Sequence, residues 1–480
     1  MPLSGDLTGD GRISPMRSTA VGIRSTRNPR LEVPLGPFRP PGLSLTRGRA
    51  GFGSLVLIGA LALSMSPAIP ATTVRDQEVA GVATTGGEDP GIVGDSGGYA
   101  TAVAQAHPHP NPIGRTDPGG VAARAVVPAV VPVVFGPRTD ETTLRRVRTI
   151  RGQIRPKSVV ASGAGLVIAD NMMYRHSVTI YDTSGALIRT VKDRVTLAAL
   201  GWPDFPTPVS GAPVEAAMSP DGATAYVTNY SMYGKGFARP GWDLATPKDR
   251  VDDSFVYRID LASGTITGAA RVGAVPKFIA ASPDGRWIIV ANWASWDLSV
   301  VDVATFREVR RIPVGPEPRG IAFLPDSRAA YVTTQYHDAR RGYPAELYRL
   351  DVGDWTLEPI RTDLGHFPRH IVLDADGRYL YASMTGDVTV IKLDTTTGKI
   401  VASVRTGAAP RTIALSDDGL SLYVVNYDDD TLVKVGTADM RVLQRLATGH
   451  HPVGVTFEPS TRTVWVACYS GTLMLFHEEG

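Results

Sequence analysis

The chain has 480 residues, with 49 Lys+Arg against 47 Asp+Glu and a formal net charge of +2. That length can bury a large core, and so small a net charge excludes a global field for nucleic acid or an anionic membrane; electrostatic function must come from local placement. A single cysteine, Cys468, excludes an intramolecular disulfide and a cysteine-rich metal site, while 50 Gly and 37 Pro point to many turns.

Residues 1–50 read as a basic, low-complexity leader. Within it, DLTGDGRIS from Asp6 imitates the start of a calcium loop, with Asp6, Thr8 and Asp10 at alternate positions and Gly11 at the turn. Such a loop closes with a carboxylate at its twelfth position, and Arg17 stands there instead, so the stretch reads as a chance polar turn. Residues 51–71 contain GFGSLVLIGALALSM, preceded by Arg47 and Arg49 and followed by Ser66-Pro67-Ala68. This is the layout of a secretory signal, too short for the roughly 20 residues of a membrane span. The expected location is therefore extracellular or on the cell surface, with the signal either cleaved or kept as an anchor. The length of the charged leader suggests a translation start downstream of Met1, such as Met16.

Residues 72–142 are dominated by Gly, Ala, Thr, Val and Pro, including HPHPNP from His107 and VVPAVVPVVF from Val127. Proline at that density blocks helix and central strand, so a disordered linker is expected, with His107 and His109 solvated rather than metal-bound.

From residue 143 the pattern changes. TLRRVRTI, residues 143–150, has the character of a strand, like EVRRIPVG and RVLQRLATG further on. A repeat follows: PVEAAMSPDGATAYVTN from Pro213, PKFIAASPDGRWIIVAN from Pro276, PRGIAFLPDSRAAYVTT from Pro318, PRHIVLDADGRYLYASM from Pro368, PRTIALSDDGLSLYVVN from Pro410 and PVGVTFEPSTRTVWVAC from Pro452. A weaker copy, PKSVVASGAGLVIADN, starts at Pro156, which makes seven. Three of the intervals are 42 residues, a period that signals a solenoid, propeller or array. Each unit reads as four strands. A short apolar run follows the proline, Pro-Asp-Gly makes a tight turn, an aromatic and β-branched run follows, and two further alternating strands lead to the next proline. Helical periodicity is absent, so the expected fold is all-β: a seven-bladed propeller of four-stranded antiparallel blades over residues 143–480. The last unit has only three strands before Gly480. Residues 143–150 are expected to complete it as the outer strand of the blade containing Cys468, since an unpaired final edge invites aggregation.

The tetrapeptide Tyr226-Val227-Thr228-Asn229, with Pro-Asp-Gly turns and Gly-x-x-Pro junctions, resembles the YVTN-type β-propeller repeat family, with echoes ending at Asn292, Thr334 and Asn426. The resemblance covers residues 143–480 and implies a seven-bladed propeller, often bacterial and exported. Some members of that family bind polymers, and similar propellers include lactonases; fold by itself does not settle function.

The residue after each junction proline is Lys157, Val214, Lys277, Arg319, Arg369, Arg411 or Val453. In four-stranded blades these junctions and the loops between second and third strands share one face. Five cations are therefore expected around one channel mouth, suited to a carboxylate, a phosphate or a polyanion. The opposing expectation is that each pairs with a nearby acid, such as Glu215 or Glu317. His370 joins the ring by position, and Tyr230, Trp293 and Tyr427, each just past the end of a second strand, are further ligand-binding candidates. Long insertions from Ser231 and Gln335, rich in Tyr, Trp and Arg, should overhang the same mouth.

Catalytic patterns are weaker. Glu215, His370 and Arg369 form a possible acid–base set. Asn171, Asn229, Asn292 and Asn426 could supply oxygens to a metal, but an Asn at a strand end more simply closes the following turn, so no metal site is assigned. DTTTGK from Asp394 has Ala402 where a quinone-cofactor repeat needs Trp, and no cofactor is expected. The reading is a secreted or surface-associated, monomeric binding propeller whose anionic ligand, or protein or polymer partner, docks at one channel mouth. The alternative is a lactonase-like or lyase-like hydrolytic enzyme using that mouth.

Overall fold

The computed structural model describes residues 136–335 and 345–480. The basic leader, the apolar segment of residues 51–71, most of the linker and most of the insertion from Gln335 lie outside the described residues. The rest forms seven four-stranded antiparallel sheets. Blade I takes residues 158–192, blade II 210–272, blade III 276–313, blade IV 318–361, blade V 368–404 and blade VI 410–447. Blade VII combines Pro452–Glu458, Thr463–Cys468 and Thr472–Glu479 with Thr143–Ile150 as its outer strand.

The early strand closes the ring as the sequence demands. It runs antiparallel to the last one, with Thr143 opposite Glu479 and Arg148 opposite Leu475; Val147 sits in the irregularity between Arg146 and Arg148. It also grips blade VI. Gln444 accepts from the Leu144 N–H at 2.7 Å and donates to the Leu144 carbonyl at 3.0 Å. Ordered contacts begin ahead of the strand, inside the stretch expected as linker: Thr139 donates to Asp418 through both its N–H, at 2.8 Å, and its hydroxyl, at 2.7 Å.

Local chemistry explains the hairpins. In Ser219-Pro-Asp-Gly, the Ser219 hydroxyl donates to Asp221, which also accepts the Ala223 N–H, and Gly222 takes φ +67°. A Cβ at Gly222 would lie 2.5 Å from the Ser162 carbonyl oxygen, so both the dihedral and the close approach require glycine. Ser282, Asp284 and Gly285 repeat the device in blade III. The second strand of each blade lies between two neighbouring sheets. It therefore reads as a continuous apolar run: Ile288, Ile289, Val290 and Ala291 are all fully buried. Outer strands face solvent more, as in Arg307–Pro313, where Ile312 alone is buried.

Candidate functional site

Two backbone devices aim the junction residues. The inner strand carries a register irregularity at or next to each of the four basic junction residues that lie within a strand, at Lys277, Arg319, Arg369 and Arg411. A bulge re-aims a side chain and raises local twist. The residue before the proline is left-handed in five blades: Val275, Glu317, Phe367, Ala409 and His451 have φ between 50° and 55°. A residue before proline normally prefers extended backbone. Here the strain is held by a repeated hydrogen bond, from Trp293, Gln335, Thr385, Tyr427 and Tyr469 N–H to the carbonyl of the left-handed residue. No single side-chain type marks that position, so the sequence gives no signal for it.

The result is a cluster. Lys157, Arg319, Arg369, Arg411, Glu215 and His370 line one pocket on the channel, together with Phe278, Thr412 and Val453. Lys157 pairs with Glu215 at 2.8 Å, both side chains nearly buried. Lys277 pairs with Asp243 at 2.7 Å, and Asp243 comes from the insertion that starts at Ser231. That carboxylate is 69% exposed, so this pair is wet and the insertion reaches the mouth. The opposing expectation of acid pairing thus holds for the two lysines. It fails for the arginines. The Nε–H groups of Arg319, Arg369 and Arg411 are buried without a hydrogen bond, and none of these guanidiniums forms an ion pair among the described residues.

The electrostatics follow. Burial, with repulsion from Arg319 and Arg369, pushes Lys157 down to about 8 and Lys277 down to about 7, against the pull of Glu215 and Asp243. Burial and repulsion from Arg319 and Arg411 hold Arg369 well below the usual arginine value. His370 is pushed down to about 3 by burial, then by Arg319 and Lys157, so its ring is neutral; its Nδ1 has no partner. Beside Lys157, Ser158 donates to Asp170 at 2.6 Å, and burial raises that carboxyl to about 7.

Aromatic residues support the ring. Tyr427 lies under Arg411, 3.7 Å from its ring centroid, and stacks on His451 at 4.1 Å; His451 stacks in turn on His450. Lys277 sits 3.6 Å above Trp293 and 5.7 Å from Tyr230. Trp293, a ligand-binding candidate by sequence, is fully buried and donates to the Asp243 carbonyl; it is a platform for Lys277. Tyr230 is tied to Asp243 at 2.7 Å. Tyr469 belongs to the same set and was missed. It follows the end of its second strand, as Trp293 and Tyr427 do, so the repeat register contained the signal; Tyr230, expected just past a strand end, instead lies inside the longer strand Thr224–Tyr233. The guanidiniums of Arg411, Arg369 and Arg319 all act on its phenol, which burial raises to about 12.

The strand-end asparagines are held within the blades, although Oδ1 of Asn229 and of Asn292 accepts no hydrogen bond. Asn171, Asn292 and Asn426 are fully buried and bond to turn and strand groups such as Thr179, Asp297 and Thr406. Asn229 donates to the Phe255 carbonyl. Among the described residues no group of three or more His, Cys, Asp or Glu is placed to hold a metal ion. Cys468 is buried, with its thiol pushed up to about 11, so it packs rather than reacts.

A sequence model of the YNCE-like beta-propeller family matches residues 251–420. The folded part of this chain is a seven-bladed propeller, and over those residues it is similar to that family. Among solved structures it is similar to the Kuenenia stuttgartiensis hydrazine synthase, with 18% identity and a TM-score of 0.54 over 68% of this chain and 97% of that one. Identity that low shows shared fold alone. Matching solved chains number 1729, too many for the fold to select one activity. No curated protein matches the chain.

Proposed function

We propose that this YVTN-type propeller is a binding protein that captures an anionic ligand at the channel mouth ringed by Arg319, Arg369 and Arg411. One observation carries the reading: three guanidiniums crowd together, Arg319 buried and Arg369 and Arg411 half-buried, each with its Nε–H buried and unbonded and none in an ion pair among the described residues. Such an arrangement costs several kcal/mol of desolvation and repulsion unless an anion offsets it. The insertion at the mouth adds exposed apolar residues, Tyr233, Trp242 and Leu244, which suit a protein or polymer rim contact. Export to the cell surface or beyond belongs to the same reading and rests on the apolar segment behind Arg47 and Arg49. Fractionation of cells carrying the full chain tests it; recovery in the cytoplasm alone would contradict it.

The binding claim is tested with Arg319→Ala, Arg369→Ala and Arg411→Ala combined, titrated against small carboxylates and phosphates at several salt concentrations. Loss of affinity and of its salt dependence is expected. Unchanged values for both would rule the site out. A hydrolytic enzyme at the same mouth is the second reading, favoured by the unpartnered Nδ1 of a neutral His370. It predicts turnover of a lactone panel that disappears in His370→Ala.

A further inference from the structure

The guanidinium pocket continues into the channel. Glu215, Phe278, His370 and Thr412 line both it and a second cavity of about 290 Å³. The two spaces differ in size and chemistry. Among the guanidiniums the free volume is about 10 Å³, close to what one water-sized group occupies. The larger cavity is walled chiefly by Val160, Val372, Ile413, Leu415, Val455 and Phe457. Its volume sits near the lower limit of ordinary ligand pockets, roughly 300–1,000 Å³.

Resting on the anion-binding reading, we propose that the ligand is a monocarboxylate with a short hydrocarbon body. Its carboxylate occupies the pocket among Arg319, Arg369 and Arg411. Its aliphatic or aromatic body lies in the larger cavity. A planar carboxylate matches the guanidinium fork with two oxygens. A phosphate or sulfate is bulkier still and leaves the apolar cavity unused. The junction between the two spaces fits the same ligand. Phe278 and His370 meet there edge to face, with ring centroids 5.0 Å apart. The imidazole is neutral, and the Glu215 carboxylate at the same junction is paired with Lys157 at 2.8 Å. The Thr412 hydroxyl is already committed to the Val453 carbonyl at 2.6 Å and does not compete for the ligand. Selectivity then has two parts: the guanidiniums demand one negative charge, and the cavity rewards each carbon that follows it.

Calorimetric titration of the full chain at constant ionic strength, with acetate, butyrate, hexanoate, octanoate, chloride and phosphate, tests this. Affinity should rise about three- to fourfold per added methylene until the cavity is full. Phosphate and chloride should bind more weakly than hexanoate. Ala216→Phe narrows the cavity and should flatten the chain-length series while leaving acetate binding intact; Ala414→Leu is a milder second variant lining the same space. Equal affinity for acetate and octanoate, or phosphate binding above every carboxylate, would overturn the carboxylate assignment and leave anion binding standing. A chain-length slope that survives in both cavity variants would also overturn it. Binding of none of the six anions would overturn this proposal together with the reading on which it rests.

Discussion

Arg369 is half-buried, it faces Arg319 and Arg411, and its Nε–H is buried with no acceptor. Replacing a buried unpaired charge by an apolar group of similar length is commonly stabilising. Arg369→Met should therefore raise the unfolding free energy by about 1–3 kcal/mol while weakening anion affinity at least tenfold, a trade of stability for function. Chemical denaturation and titration of the same variant check both halves. A loss of stability would mean that the charge is already compensated. The lysines set the pH response. An anion favours their protonated forms, and the free site loses those protons near 7 at Lys277 and near 8 at Lys157. Binding then takes up protons in that range, so affinity should be greatest below pH 7 and fall as pH rises through 7 and 8. Affinity that climbs over that interval would contradict the assignment. At this scale the repeat register made the five cations and three of the aromatics legible. It could not show that Asp243, far along an insertion, would pair with Lys277 rather than with an arginine.

The strand that closes the ring is held by chemistry as well as by sheet pairing. Lys434 and Glu478 have fully buried side chains and meet at 2.7 Å. Lys434 also donates to the Thr142 carbonyl at 2.9 Å, and Tyr423 donates to the second Glu478 oxygen at 2.5 Å. One buried network thus ties blade VI, the last strand and the residue just ahead of Thr143–Ile150. Removing one partner of such a pair leaves a bare charge inside, so Lys434→Met should cost about 3–5 kcal/mol. Adding Glu478→Gln should restore part of that loss, and equilibrium unfolding of the single and double variants measures the coupling. A cost under about 1 kcal/mol for the single change would show the pair to be dispensable. Hairpins, strand order and closure could be read from the sequence because Pro-Asp-Gly turns and alternating strands have local causes. The bulges at the junction cations and the left-handed residues before the prolines could not. Val275, Phe367 and Ala409 share no chemistry, and only the surrounding blades force their backbone.

For the whole molecule, closure is what turns scattered repeats into a site. Cations spaced along the chain reach one another because seven sheets return on themselves. Deleting residues through Ile150 would strip blade VII of its outer strand, expose the edge of Thr472–Glu479 and remove the Thr142 acceptor from Lys434. Aggregation and a lowered unfolding midpoint are expected, both measurable by light scattering during thermal unfolding. A soluble, equally stable truncated protein would mean that the ring does not depend on this strand. The channel's second compartment lay beyond sequence reading for a related reason. Val160, Val372 and Val455 come from three different blades, and no pattern within one repeat reports how their inner strands converge.

The central claim is that the crowded guanidiniums form an anion site, and bromide tests it most directly, since it is a monatomic anion visible by anomalous diffraction. Crystals soaked in bromide should show a peak within hydrogen-bonding distance of Arg319, Arg369 and Arg411, absent in the triple alanine variant. Bromide bound at other places on the surface, with nothing among those three side chains, would contradict the account.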